Sequence, residues 1–92
     1  MIVLYSDVFL KSSKKLNDKI AVKRLYELIE KLEKATTLWE IANVVPVKGS
    51  SALFRIRTGD YRLIVEYWDG KLTILLLDYL KRNEKTYKGF TR

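Results

Sequence analysis

The stretch from Phe54 to Tyr67 limits what this chain can fold into more than any other, because apolar and basic residues alternate on both sides of Gly59 and Asp60. A two-residue turn at Gly59-Asp60, with the glycine supplying the positive φ that a type II′ turn needs first, sets Thr58 opposite Tyr61, Arg57 opposite Arg62 and Ile56 opposite Leu63. Side chains alternate across a strand, so one face then carries Phe54, Ile56, Leu63, Val65 and Tyr67. The other carries Arg55, Arg57 and Arg62 together with Ile64 and Glu66. A three-residue loop shifts the pairing by one and buries Arg62 opposite Ile56, a desolvation cost that outweighs any turn preference. The expected result is an antiparallel hairpin with an apolar face and three guanidinium groups converging on the opposite one.

The rest of the chain supplies what such a hairpin needs to pack against. Ile2 to Tyr5 reads as a short strand, and Ser6 or Asp7 can cap a short helix beginning at Val8, with Val8, Phe9 and Leu16 on its apolar side. Asn17 and Asp18 break that pattern and cap a second helix from Ile20 to about Ala35, in which Val22, Leu25, Leu28, Ile29 and Leu32 recur at helical spacing. Glu27 with Lys31 and Glu30 with Lys34 form supportive pairs on its solvated side. Residues 36–51 have no period, and Pro46, Gly49, Ser50 and Ser51 mark an irregular connection that Trp39 and Ile41 are expected to anchor. After the hairpin, Asp69-Gly70 reads as a type I′ turn that pairs Tyr67 with Leu72, Val65 with Ile74 and Leu63 with Leu76. That pairing sets Leu75 beside Ile64 and Leu77 beside Arg62, an apolar strip on the arginine face that the tail from Lys81 to Arg92 is placed to cover. The expectation is one α+β domain spanning residues 1–92, ordered β-α-α-β-β-β with a short C-terminal helical tail. Its antiparallel sheet carries a helical hairpin on one face.

Composition narrows the chemistry. The 92 residues include no cysteine and no histidine, which removes disulfides, thiolate or imidazole metal sites, and catalysis by either residue. No apolar run reaches the roughly 18 residues of a membrane span, and the first ten residues lack the basic start and cleavage site of a signal peptide, so a cytoplasmic location with no membrane partner is expected. Eighteen basic against eleven acidic side chains give a net charge of +7. Residues 1–47 hold eight basic and six acidic side chains, whereas residues 48–92 hold ten and five, so most of the excess belongs to the half that contains the arginine hairpin. An anionic partner is expected there, with nucleic acid ahead of an acidic protein or a membrane surface.

Two segments resemble the RelE/ParE toxin superfamily of type II toxin–antitoxin systems. One is Phe54-Arg55-Ile56-Arg57 followed by Gly59-Asp60-Tyr61-Arg62; the other is Lys81-Arg82-Asn83-Glu84-Lys85-Thr86-Tyr87. The resemblance implies a toxin held inactive by a cognate antitoxin in a hetero-oligomer. In the RelE branch it implies an endoribonuclease (mRNA interferase) that cleaves messenger RNA on the ribosome. In the ParE branch it implies inhibition of DNA gyrase without catalysis, and a member whose catalysis has decayed is a further alternative. Arg55 and Arg57 stand where RelE-type nucleases carry basic strand residues, often lysines. Arg62 and Arg82 match phosphate-binding arginines, and Tyr87 matches a tyrosine assigned to acid–base or base-stacking work.

Cleavage by an RNA 2′-OH needs a proton acceptor, a proton donor for the leaving oxygen, and cations where charge grows on phosphorus. The arginines supply the cations but cannot act as a base, since a guanidinium keeps its proton at neutral pH. Tyr87, Lys81 and Lys85 are the acid–base candidates, with Glu84 and Glu66 behind them, and nearby cations are what would lower the pKa of each base. Lys48, Lys81 and Lys85 are candidate substrate contacts. No cofactor and no metal are expected, because the carboxylates form no Asp-x-Asp or Glu-x-x-His pattern.

Overall fold

The computed structural model describes residues 1–81 of the chain. Strand β1 (Ile2–Tyr5) leads into helix α1 (Asp7–Lys14), where the Ser6 side chain accepts a hydrogen bond from the Phe9 amide at 3.0 Å and so caps the first turn. Helix α2 (Lys19–Lys34) is capped in the same way by Asp18, whose carboxylate accepts from the Ile20 and Ala21 amides. The buried stripe of α2 is Ala21, Leu25, Leu28 and Leu32, with Ile29 only partly buried. Ala21 thus takes the inner position expected of Val22, because the Tyr79 hydroxyl approaches α2 closely enough to donate to the Ala21 carbonyl at 3.2 Å. On α1 only Phe9 is buried and Val8 is half exposed, so the expected apolar side is narrower than its residues suggested.

A 3-10 turn at Leu38–Glu40 follows, then β2 (Val44–Pro46), β3 (Leu53–Thr58) and β4 (Tyr61–Trp68); a second 3-10 turn at Asp69–Lys71 leads to β5 (Thr73–Lys81). The five strands form one sheet in the order β1-β5-β4-β3-β2. Two features of this sheet differ from the expected β-α-α-β-β-β arrangement. Part of the supposed irregular connection is the edge strand β2, which ends in Pro46, where an edge position tolerates a residue without an N–H. Strand β1 runs parallel to β5, so the sheet is antiparallel except at this edge. No hairpin joins β1 to β5, and its direction is set by contacts distant in sequence: the Ser6 amide donates to the Leu76 carbonyl, and the Met1 nitrogen donates to the Leu32 and Glu33 carbonyls at the end of α2. The anchor of the connection is the fully buried Leu38; Trp39 is exposed, although its ring meets Phe54 and Tyr67 edge-on.

The β3–β4 register is the expected one, from Leu53 opposite Glu66 to Thr58 opposite Tyr61. The β4–β5 register is not. Trp68 pairs with Thr73, Tyr67 with Ile74 and Val65 with Leu76, so the loop holds four residues, and Leu72 rather than Gly70 takes the left-handed conformation, with φ 49°. The shift is by two residues, which keeps Ile74 and Leu76 on the core face. A bulge between Ile64 and Val65 then shifts the pairing once more, setting Ile64 opposite Asp78, Leu63 opposite Tyr79 and Arg62 opposite Leu80. Phe54, Ile56, Leu63, Val65, Tyr67, Ile74, Leu76 and Tyr79 pack with Phe9 and the α2 stripe into one core on the helix-bearing side. On the other side Ile64 is fully buried and Leu75 and Leu77 are partly buried, and the expected neighbours are replaced: Leu80 rather than Leu77 stands beside Arg62, and Asp78 rather than Leu75 is opposite Ile64. No helix among the described residues is long and apolar enough to cross a membrane.

Candidate functional site

The arginine face rests on a single backbone conformation. Gly59 has φ +62°, Asp60 does not join it in the left-handed region, and the turn is therefore the one that sets Arg57 directly opposite Arg62. Opposed residues hold their Cβ atoms about 4.5–5.5 Å apart, and like charges in that relation repel. Arg55, opposite Ile64, is the diagonal neighbour of Arg62, so the three guanidinium groups share one patch. Its borders are apolar: Val45 pairs with Arg55 from β2, and Leu80 pairs with Arg62 from β5. Arg57 is exposed, whereas Arg55 and Arg62 are partly buried. Cations held against such a floor act through a lower dielectric than in open water, which strengthens their pull on an anion.

The other candidates fall differently. Lys81 pairs with Tyr61, which directs it toward the helix-bearing side, where it lines a recess of about 550 Å³ with Lys15, Asn17, Tyr61 and Tyr79. Lys48 is exposed in the loop between β2 and β3, past the Val47 amide that donates to the Leu53 carbonyl, and so stands at the opposite end of β3 from Arg57. Glu66 is four residues from Arg62 along β4, or about 13 Å at strand rise, and its carboxylate accepts a hydrogen bond from the Trp68 indole. The candidates Arg82, Lys85 and Tyr87, and the expected helical tail, lie outside the described residues.

Arg24 was missed in the sequence, where it reads as part of the solvated side of α2. Its guanidinium lies over the Gly59 turn: a Cβ built on Gly59 would sit 2.0 Å from Arg24 Nη1. The signal was present, since Ala21, Arg24 and Leu28 are spaced three and four apart and share a helix face. Below it, the Tyr61 and Tyr79 rings stack with centroids 4.9 Å apart. Burial pushes the Tyr79 hydroxyl up to about 12, with Tyr61 and Asp18 adding to the rise and Thr58 and Arg24 opposing it. The buried Asp78 carboxylate accepts from Ser12 Oγ at 2.6 Å and from the Tyr79 amide at 2.8 Å, which ties α1 to the bulged part of β5. Among the described residues no three Asp or Glu side chains stand close enough together to hold a metal ion.

No protein-family model and no curated protein sequence matches the chain. Solved structures do. A RelB-RelE antitoxin-toxin complex from Methanococcus jannaschii aligns with a TM-score of 0.76 at 25% identity, covering 97% of this chain and 99% of that one. An archaeal RelE-RelB complex from Pyrococcus horikoshii OT3 aligns with a TM-score of 0.72 at 26% identity, over 91% and 97%. The isolated E. coli RelE toxin aligns with a TM-score of 0.66 at 21% identity, over 97% and 92%, and at that identity the likeness is one of fold.

Proposed function

We propose that this chain, which has the fold of the RelE-like toxin superfamily, is the toxin of a toxin–antitoxin pair and acts in the cytoplasm as an endoribonuclease on ribosome-bound messenger RNA. The observation that carries the reading is the opposition of Arg57 and Arg62 with Arg55 beside them. Three cations on one patch of a sheet, at a repulsive spacing, are arranged for an anion carrying more than one charge-accepting oxygen.

In this reading the message lies across the arginine face with a phosphodiester at the cluster. The ribose 2′-oxygen attacks phosphorus and its proton passes to a base; the bond from phosphorus to the 5′-oxygen breaks, and that oxygen takes up a proton. The products are a 2′,3′-cyclic phosphate and a 5′-hydroxyl. Arg55, Arg57 and Arg62 stabilise the charge that builds on the phosphorane oxygens, and Arg82 and Tyr87 are assigned to the same centre by the resemblance alone. Glu66 is a poor base, being distant from Arg62 and engaged by Trp68. The position of Lys81 suits a contact to substrate at the rim better than proton transfer at the cluster.

The two archaeal relatives are complexes of RelE with RelB, which supports a cognate antitoxin for this chain. A segment bringing carboxylates onto the arginine face would neutralise it and bind in a salt-sensitive way. The activity is tested by expressing the chain in bacteria and following labelled amino-acid incorporation alongside plasmid supercoiling. Rapid loss of incorporation with supercoiling intact is expected. Loss of supercoiling ahead of translation would overturn the nuclease reading in favour of gyrase as the target.

A further inference from the structure

A second recess, of about 380 Å³, lies between α2 and the rim of β3. One wall is a stripe of α2 carrying Arg24, Glu27 and Lys31, which share a helix face. The other wall includes Asn43, Arg57 and Thr58, and the buried Leu28 and Ile56 lie among the lining side chains. Asn43 is fixed in the left-handed region at φ 64°, and its carbonyl accepts the Arg57 amide at 3.2 Å, so this rim is held by the backbone of β3 itself. Arg24 and Lys31 against Glu27 leave the α2 wall one positive charge in excess, and Arg57 adds its charge at the border with the arginine face; an anionic polymer would release the counter-ions held there on binding. Arg57 belongs to both the recess and the arginine face, so the two positive surfaces are continuous around the Gly59 turn, with Arg24 lying on that turn.

We infer that this recess is a second phosphate site, in which Arg24 and Lys31 hold the phosphodiester backbone of RNA beyond the segment lying on the arginine face. The inference rests on the reading that the arginine face binds RNA. A chain of alternating phosphate and ribose fits a recess of mixed polar and apolar lining better than a compact apolar ligand does. The phosphates could belong to the message strand or to ribosomal RNA, and the test separates these sources.

The double variant Arg24→Gln/Lys31→Gln is compared with Arg62→Gln and the unaltered protein in two binding assays: fluorescence anisotropy with a labelled single-stranded RNA of about a dozen nucleotides, and cosedimentation with message-free ribosomes. Loss of two phosphate contacts should weaken binding roughly tenfold at about 0.1 M salt and lower the slope of log K against log[salt] by about 1.4. Loss in the oligonucleotide assay assigns the recess to the message strand, and loss with ribosomes alone assigns it to ribosomal RNA. Unchanged affinity and slope in both assays, while Arg62→Gln weakens binding, would overturn the second site and leave the arginine face standing. If Arg62→Gln also changed nothing, both readings would fail together. Weakened binding of an acidic antitoxin peptide with RNA binding unaltered would overturn the inference in favour of a carboxylate site. Because Arg24 packs on the Gly59 turn, Lys31→Gln alone is measured as well; it lies a turn and more away, and its salt slope should fall by about 0.7.

Discussion

Tyr79 shows how much of the site's frame depends on single side chains. Its ring lies in the core against Tyr61, and its hydroxyl is bonded to the Ala21 carbonyl, so ionisation would place a charge where burial opposes it. The hydroxyl titrates near 10.0 when exposed and at about 12 in the folded chain. Its contribution to stability is therefore complete below pH ~10 and declines as the pH rises toward ~12. Denaturant melts from pH 8 to 12 should show this alkaline loss in the unaltered protein and a shallower one in Tyr79→Phe. Parallel curves would mean that Tyr79 is not the residue responsible. The position of Tyr79 was not legible in the sequence, because the bulge opposite Ile64 reverses the alternation of β5 and only tertiary packing specifies where that occurs. The arginine cluster was legible, because its register follows from a turn glycine and the cost of burying a guanidinium.

At the scale of elements, the β3–β4 and β4–β5 hairpins are a contrast in how well local sequence specifies a turn. Gly59 has φ +62° and Arg24 packed over it, whereas Gly70 lies outside the left-handed region with nothing within 4 Å of where a Cβ would stand. Gly59→Ala should destabilise the fold by about 1–2 kcal/mol through the left-handed conformation, with a further cost if the Arg24 side chain has to move. Gly70→Ala should be neutral or stabilise by up to about 1 kcal/mol, chiefly by restricting the unfolded chain. Equal losses in thermal melts would restore the type I′ turn that Asp69-Gly70 suggested. That turn failed as a guide because the four-residue loop lets Trp68 pair with Thr73 while leaving every core side chain of β5 up to Leu76 on the same face. A displacement of two residues is invisible to apolar alternation, so the core was legible even where the register was not. The parallel edge of β1 lay beyond the sequence because its partner β5 is distant and no turn joins them; β2 was missed because three residues are too few to show an alternation, although Gly49, at φ 90°, marks the loop that turns it back onto β3.

Across the whole molecule, the helices and the apolar half of the sheet form one body on one side, leaving the arginines on the opposite face of the same strands. Fold class and the uneven charge were both readable from composition and period. For Arg24 the sequence showed only that it shares a helix face with Ala21 and Leu28; the recess it lines was not readable, since a basic residue on a helix reads as solvated until the strand turn that it covers is placed. The central claim is that Arg55, Arg57 and Arg62 act on a phosphodiester, and the most direct measurement is end-group analysis of ribosome-bound message cut by the purified chain and by Arg62→Ala. The expected result is 2′,3′-cyclic phosphate ends from the unaltered chain and a rate lower by roughly 100- to 1,000-fold in Arg62→Ala, the effect of removing one donor to a developing oxyanion. An undiminished rate in Arg62→Ala, or 3′-hydroxyl ends, would contradict it.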